Sequence, residues 1–120
     1  MQEIGVDLVF IKRMAPIIED KRLLKKIFTE EEIAYAESKA NKSETYAGLF
    51  ASKEATLKSL KRGLEACPLT DIEIVHRDGI PSIKLHNKIK EENEAQKCTF
   101  SLSIAHDGDY AIATVLASKL

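Results

Sequence analysis

A chain of 120 residues, 44% hydrophobic and 31% charged, suits a single domain with a modest core, and its formal net charge of −1 gives no general electrostatic reason to bind nucleic acid or a membrane surface. No apolar run approaches the roughly 20 residues of a transmembrane helix, and the N-terminus carries acids in place of the basic start of a signal peptide. Two isolated cysteines, Cys67 and Cys98, read as reduced thiols of a cytoplasmic protein.

In chain order, the first apolar segment is Ile4 to Ile11. Val6, Leu8 and Phe10 alternate with Gly5, Asp7 and Val9, which predicts a strand. A basic amphipathic segment follows from Lys12 to Phe28, where Pro16 marks a first helical turn or a kink. Thr29 opens a capping box with Glu32 and starts a short helix to about Ser38. The polar stretch Ser38 to Thr45 is expected as a mobile loop. The longest helix is predicted from Glu44 to Arg62, with Tyr46, Phe50 and Leu57 at helical intervals and Ala47, Ala51 and Ala55 keeping one side slim. Gly63 is expected as its left-handed C-terminal residue. Thr70 to His76 and Ser82 to His86 form a hairpin about Asp78-Gly79. Asn87 is expected to cap a charged helix to about Gln96. Two strands close the chain, one carrying Phe100, Leu102 and Ile104 and the other running from Tyr110 to Leu116. The sum is an α+β fold over residues 1–120, with helices packed on a mostly antiparallel sheet.

Few residues suggest chemistry on their own. Asp7 lies inside an apolar strand, where a carboxylate is costly unless paired, solvated or metal-bound; an exposed edge-strand position explains it equally well. Glu54 and Lys58 share a helix face at i,i+4, and Lys53 adjoins them. An exposed ion pair is the plain explanation, yet the stretch is rich in alanine and reads as mostly buried. His106 near a strand end suits either a phosphate contact or solvent, Ser103 faces opposite the Phe100, Leu102 and Ile104 stripe, and taken singly both read as structural. His76 and His86 show no metal-ligand spacing and read as surface residues. Nucleotide-loop, nucleophile-elbow and zinc-protease motifs are absent.

Five segments, in order, resemble the holo-acyl-carrier-protein synthases of the phosphopantetheinyl transferase superfamily. They are Gly5-Val6-Asp7-Leu8-Val9, Phe28-Thr29-Glu30-Glu31-Glu32, Ala47 to Ala55 followed by Lys58 and Leu60, Asp71-Ile72-Glu73-Ile74, and Leu102-Ser103-Ile104-Ala105-His106 with Tyr110-Ala111. The resemblance implies transfer of 4'-phosphopantetheine from coenzyme A to a serine of acyl carrier protein, in support of fatty acid biosynthesis. It implies Asp7 and Glu54 as Mg²⁺ ligands and Lys58 as the phosphate contact, making these three the catalytic set. Lys53, Ser103 and His106, with Lys58, would line the coenzyme A site. The basic segment would dock the acidic carrier through Arg13, Met14, Lys21 and Arg22. Short members of the family are homotrimers with the coenzyme A site between subunits. Leu49 stands where the family usually has Arg, Lys61-Arg62-Gly63 replaces G-[TS]-G, and Ala105 replaces Ser; Lys61 and Arg62 are expected to restore positive charge near the nucleotide. A non-catalytic binder of carrier or coenzyme A, and a metal-dependent phosphohydrolase, are the competing readings.

Overall fold

A computed structural model describes residues 1–119. Strand β1 (Gln2–Phe10) lies antiparallel to β5 (Tyr110–Lys119), and β5 pairs on its other side with β4 (Cys98–Asp107), giving the order β1-β5-β4. A separate hairpin joins β2 (Ile72–Arg77) to β3 (Ile80–Leu85). Its turn residues Asp78 and Gly79 have φ of 52° and 78°, the sign that a tight hairpin turn requires.

One long helix, α4 (Lys42–Ser59), lies across the inner face of the three-stranded sheet. That face is slim. Ala111, Ala113, Val115 and Ala117 of β5 are buried beneath the helix, with Gly5 and Val9 of β1. Small residues on both sides let helix and sheet approach closely. The helix crosses on a diagonal: Gly48 near its start meets Ile104 of β4, whereas Ala55 and Ser59 near its end meet Gly5 of β1. The alternation on β1 therefore runs against the simplest expectation. The apolar set Ile4, Val6 and Leu8 faces outward and is 64%, 49% and 58% exposed. Asp7 shares the buried side with Gly5 and Val9.

The basic segment is not one helix. A 3-10 turn at Ile11–Met14 leads into α1 (Ala15–Glu19), which has Pro16 in its first turn. Asp20 then caps α2 (Lys21–Ile27), its Oδ1 accepting from the amides of Arg22 and Leu23 at 3.0 and 3.2 Å. The capping box of α3 (Glu30–Glu37) forms as the sequence predicts, with Thr29 Oγ1 accepting from the Glu32 amide at 3.2 Å and Glu32 Oε1 from the Thr29 amide at 2.8 Å. The expected loop at 38–45 is short, because the Asn41 side chain accepts from the Glu44 amide at 3.1 Å and α4 starts at Lys42. The last helix, α5, spans Asn87–Gln96. Asn87 does not cap it: it sits at φ 58° and donates its side-chain amide to Asp71 Oδ1 at 2.8 Å.

The left-handed residue that closes α4 is Lys61, not Gly63. Lys61 has φ 60° and Gly63 is extended at φ −98°. The Lys61 amide donates to the Lys58 carbonyl at 3.0 Å and the Arg62 amide to the Leu57 carbonyl at 2.9 Å, the paired bonds of a Schellman ending. A lysine in the left-handed region is strained, while its exposed ion pair with Glu3 is worth little. Lys61→Gly is expected to raise stability by about 0.5–1 kcal/mol in denaturant unfolding; an unchanged midpoint would mean that the lysine sits there without strain.

Candidate active site

The contact at Gly5 builds the first cluster. It lets the last turns of α4 lie against β1, and Asp7, two residues along the same face, points at that end of the helix. Asp7 is 9% exposed. Its Oδ1 accepts from Lys58 Nζ at 3.0 Å, and the same ammonium donates to the Val6 carbonyl at 3.1 Å. Glu54, one turn before Lys58, is half-buried and makes no hydrogen bond or ion pair with another side chain among the described residues. Burial pushes the Glu54 carboxyl above the usual range, and the negative charge of Asp7 adds to this; Arg13 and Lys58 oppose it.

Two carboxylates thus lie near enough for the charge of Asp7 to act on Glu54, and Glu54 has no hydrogen-bond or ion-pair partner among the described side chains. Among the described residues no group of three or more His, Cys, Asp or Glu side chains is arranged to hold a metal ion by itself. Such a donor set suits Mg²⁺, which keeps several waters and takes one or two carboxylates plus substrate phosphates.

The second cluster lies at the other end of α4. A cleft of about 300 Å³ opens there, lined by Tyr35, Glu44, Leu49, His76, Ile104 and His106, among others. His106 Nε2 and Glu44 Oε1 are 3.1 Å apart. Tyr35 and His76 stack with centroids 3.9 Å apart and planes at 8°, and Lys39 Nζ lies 4.7 Å from the Tyr35 centroid. Burial, helped by Lys39, lowers the His76 pKa below the usual histidine value. The folded protein then holds His76 neutral while the unfolded chain takes up its proton, so stability falls as pH drops through the ordinary histidine range. The melting temperature is expected to decline between pH 7.5 and 5.5 more steeply in the wild type than in His76→Phe; parallel profiles would remove His76 as the cause. At about 1.5 Å of rise per residue, Glu44 and Glu54 stand about 15 Å apart along α4, so the two clusters occupy opposite edges of the sheet.

The structure brings Asp7, Glu54 and Lys58 together, with Arg13 beside Glu54. It separates the other expected residues. Lys53 is fully buried, its ammonium donating to Glu32 Oε1 and to the carbonyls of Leu69 and Ile72; it has no surface with which to line a coenzyme A site. Met14 is 1% exposed and packs in the core, so it offers no contact to a docking protein, whereas Arg13, Lys21 and Arg22 are exposed. Ser103 is exposed on the outward sheet face, opposite in the pleat to His106. Lys61 and Arg62 do not supply free charge near a nucleotide, since they pair with Glu3 and Glu92 at 3.2 and 2.8 Å. His76 and His86 are not plain surface residues: one stacks on Tyr35, and the other lies 3.0 Å from Glu73 Oε1. Tyr35 and Glu44 of the cleft escaped the sequence reading, because no motif or periodicity ties them to a histidine distant in the chain.

An antiparallel sheet crossed by one helix, with a strand carboxylate facing a helix carboxylate and lysine, defines a compact α+β module suited to metal-assisted transfer of phosphate-bearing groups. The sequence matches the 4'-phosphopantetheinyl transferase superfamily over residues 3–115. It is 37% identical over 109 residues to the holo-[acyl-carrier-protein] synthase of Finegoldia magna, covering 91% of this chain and 89% of that one. It is 40% identical over 118 residues to that of Caldicellulosiruptor saccharolyticus, covering 97% and 95%. Among solved structures, the Chronobacterium ammoniagenes ACPS-CoA complex aligns with a TM-score of 0.88 at 26% identity, covering 100% of this chain and 98% of that one. The Helicobacter pylori synthase in complex with coenzyme A aligns at 0.83 and 32%, covering 96% and 99%. The chain belongs to the 4'-phosphopantetheinyl transferase superfamily, in its holo-[acyl-carrier-protein] synthase branch.

Proposed function

We propose that the chain transfers 4'-phosphopantetheine from coenzyme A to a serine of apo-acyl carrier protein at the Asp7–Glu54–Lys58 cluster, releasing adenosine 3',5'-bisphosphate. The observation that carries the site is the convergence of a buried strand carboxylate, an unpartnered helix carboxylate and a lysine at one end of α4. Asp7 and Glu54 are the residues to hold Mg²⁺, which supplies compensation for charge on a pyrophosphate. Lys58 lies exposed beside them and is placed to attract the phosphates and to stabilise the leaving group. The buried stem of Asp7 keeps its carboxylate in one place, so little reorganisation is left for the moment of reaction. The serine hydroxyl of the carrier gives its proton to water as its oxygen bonds to the phosphorus that bears pantetheine, and the bond from that phosphorus to the adenosine bisphosphate oxygen breaks, the bisphosphate leaving with the electron pair.

The cleft at the other end of α4, lined in part by His106, is the place for the nucleotide part. It stands on the opposite sheet edge from the carboxylates, and this supports a homotrimer in which neighbouring chains complete each site. The outward apolar face is the second support: Ile4, Val6, Leu8 and Ile112 are exposed together on paired strands, and such a patch marks an interface. Ser103 belongs to that face. A mass three times the 13.4 kDa chain is expected by light scattering, and Val6→Glu is expected to give monomers with little activity. A fully active monomeric variant would sink the shared-site arrangement.

The carrier protein, as an acidic partner, is proposed to dock on Arg13, Lys21 and Arg22, with exposed Leu23 of α2 in the apolar role first expected of Met14. The free thiols of Cys67 and Cys98 support a reducing, cytoplasmic setting.

The test is a mass spectrum of apo-acyl carrier protein incubated with this protein, coenzyme A and Mg²⁺. A gain of one phosphopantetheine that EDTA abolishes is expected. Tight carrier binding with no product under any divalent metal would favour a binding protein, and free phosphopantetheine with unmodified carrier would favour a hydrolase.

A further inference from the structure

Lys53 adjoins Glu54 in sequence but lies on another face of α4. Its ammonium meets three acceptors: Glu32 Oε1 at 2.7 Å, the Leu69 carbonyl at 2.8 Å and the Ile72 carbonyl at 2.7 Å. Both side chains of the Lys53–Glu32 pair have 0% exposure. Glu32 is itself fixed, because Oε1 accepts from the Thr29 amide and Oε2 from the Ile74 amide, each at 2.8 Å. The middle of α4 is thus tied to the start of α3 and to the first residues of β2.

A buried ion pair contributes little net stability, because desolvation of the two charges offsets most of their attraction. Its geometric effect is larger. Three fixed acceptors around one ammonium hold α4 against rotation about its own axis. Consecutive helix residues are about 100° apart at 3.6 residues per turn, so fixing Lys53 fixes the direction of Glu54. The buried face of α4 and the Lys58–Asp7 contact also hold the helix, but Glu54 itself has no hydrogen-bond or ion-pair partner among the described side chains, and Lys53 is the residue next to it whose polar end is fixed on three sides.

We infer that the buried Lys53–Glu32 pair is a positioning pair, which sets the rotation of α4 that aims Glu54 at Asp7 and thereby sets the divalent-cation affinity of the site. The inference rests on the reading of Asp7 and Glu54 as Mg²⁺ ligands.

The experiment measures the Mg²⁺ midpoint in two ways, by the metal-dependent rise in melting temperature and by turnover. Three variants are compared with the wild type. Lys53→Met/Glu32→Gln removes both charges. Glu32→Asp keeps the charge but retracts it by one methylene. Glu37→Gln/Tyr46→Phe is the control, since it removes a different side-chain bond to the same helix, Tyr46 Oη to Glu37 Oε2 at 2.8 Å. The first two variants are expected to raise the Mg²⁺ midpoint by about tenfold or more by both readouts, with a smaller change in KM for coenzyme A. The control is expected to lower the melting temperature with its Mg²⁺ midpoint unchanged. Should the double variant not fold, Glu32→Asp carries the test. A folded Glu32→Asp or double variant with the wild-type midpoint overturns the inference, as does an equal shift in the control. A wild type whose melting temperature and turnover ignore Mg²⁺ overturns the metal reading instead.

Discussion

Replacing Glu54 with Gln is expected to lower turnover by about a hundredfold or more while leaving the protein, in EDTA, at least as stable as the wild type. The two effects have opposite signs for one reason. Burial and the charge of Asp7 both disfavour the ionised Glu54 carboxyl. A folded-state pKa above the unfolded value means that ionised Glu54 works against folding as pH rises through its titration range. Glutamine keeps the shape and removes that charge. Asp7→Asn should behave differently, because Lys58 then loses the carboxylate that it contacts at 3.0 Å; activity and stability should fall together. Turnover with Mg²⁺ and melting curves in EDTA measure both quantities. A Glu54→Gln protein of wild-type turnover would remove Glu54 from the metal site.

Gly5→Ala is expected to cost about 3 kcal/mol or more, beyond the usual penalty of an added methyl group. A Cβ at this position would fall on the Ala55 carbonyl oxygen and lie 2.6 Å from the Ser59 amide nitrogen. Both are helix backbone and neither can swing aside. The helix must lift away from β1, which parts Glu54 and Lys58 from Asp7, so activity should be lost even in the fraction that remains folded. Denaturant unfolding and turnover on the same preparation check this. A shift under 1 kcal/mol would show that α4 is not seated as closely as described. Gly48→Ala is the milder comparison, because its nearest contact is the end of a side chain, Ile104 Cγ2 at 3.1 Å.

Much of this was legible in the sequence. Periodicity placed β1, the hairpin, α4 and the closing strands, and Thr29 with Glu32 marked the start of α3 because a capping box is a local device. Two terminal signals were misplaced, one by a local backbone choice and one by a distant partner. Gly63 is the obvious stop for α4, yet Lys61 takes the left-handed turn two residues earlier. Asn87 has the composition of a cap, but Asp71 across the chain claims its side chain. The site divides in the same way. The i,i+4 spacing put Glu54 and Lys58 on one face, and the strand pleat turned Asp7 away from Val6 and Leu8. The direction in which Lys53 points was not legible, because its acceptors come from α3 and from the backbone entering β2. Nor did anything local show that Met14 is covered or that Glu44 meets His106.

The outward face of β1 and β5 has a consequence for how the protein responds to its own abundance. Where assembly completes the site and covers Ile4, Val6 and Leu8, folding, association and activity belong to one mass-action equilibrium. Below the dissociation midpoint the population of a three-chain assembly follows the third power of chain concentration. A modest change in expression would then be amplified into a larger change in carrier-modifying capacity, and assays run at high dilution would understate the enzyme for reasons unrelated to its chemistry.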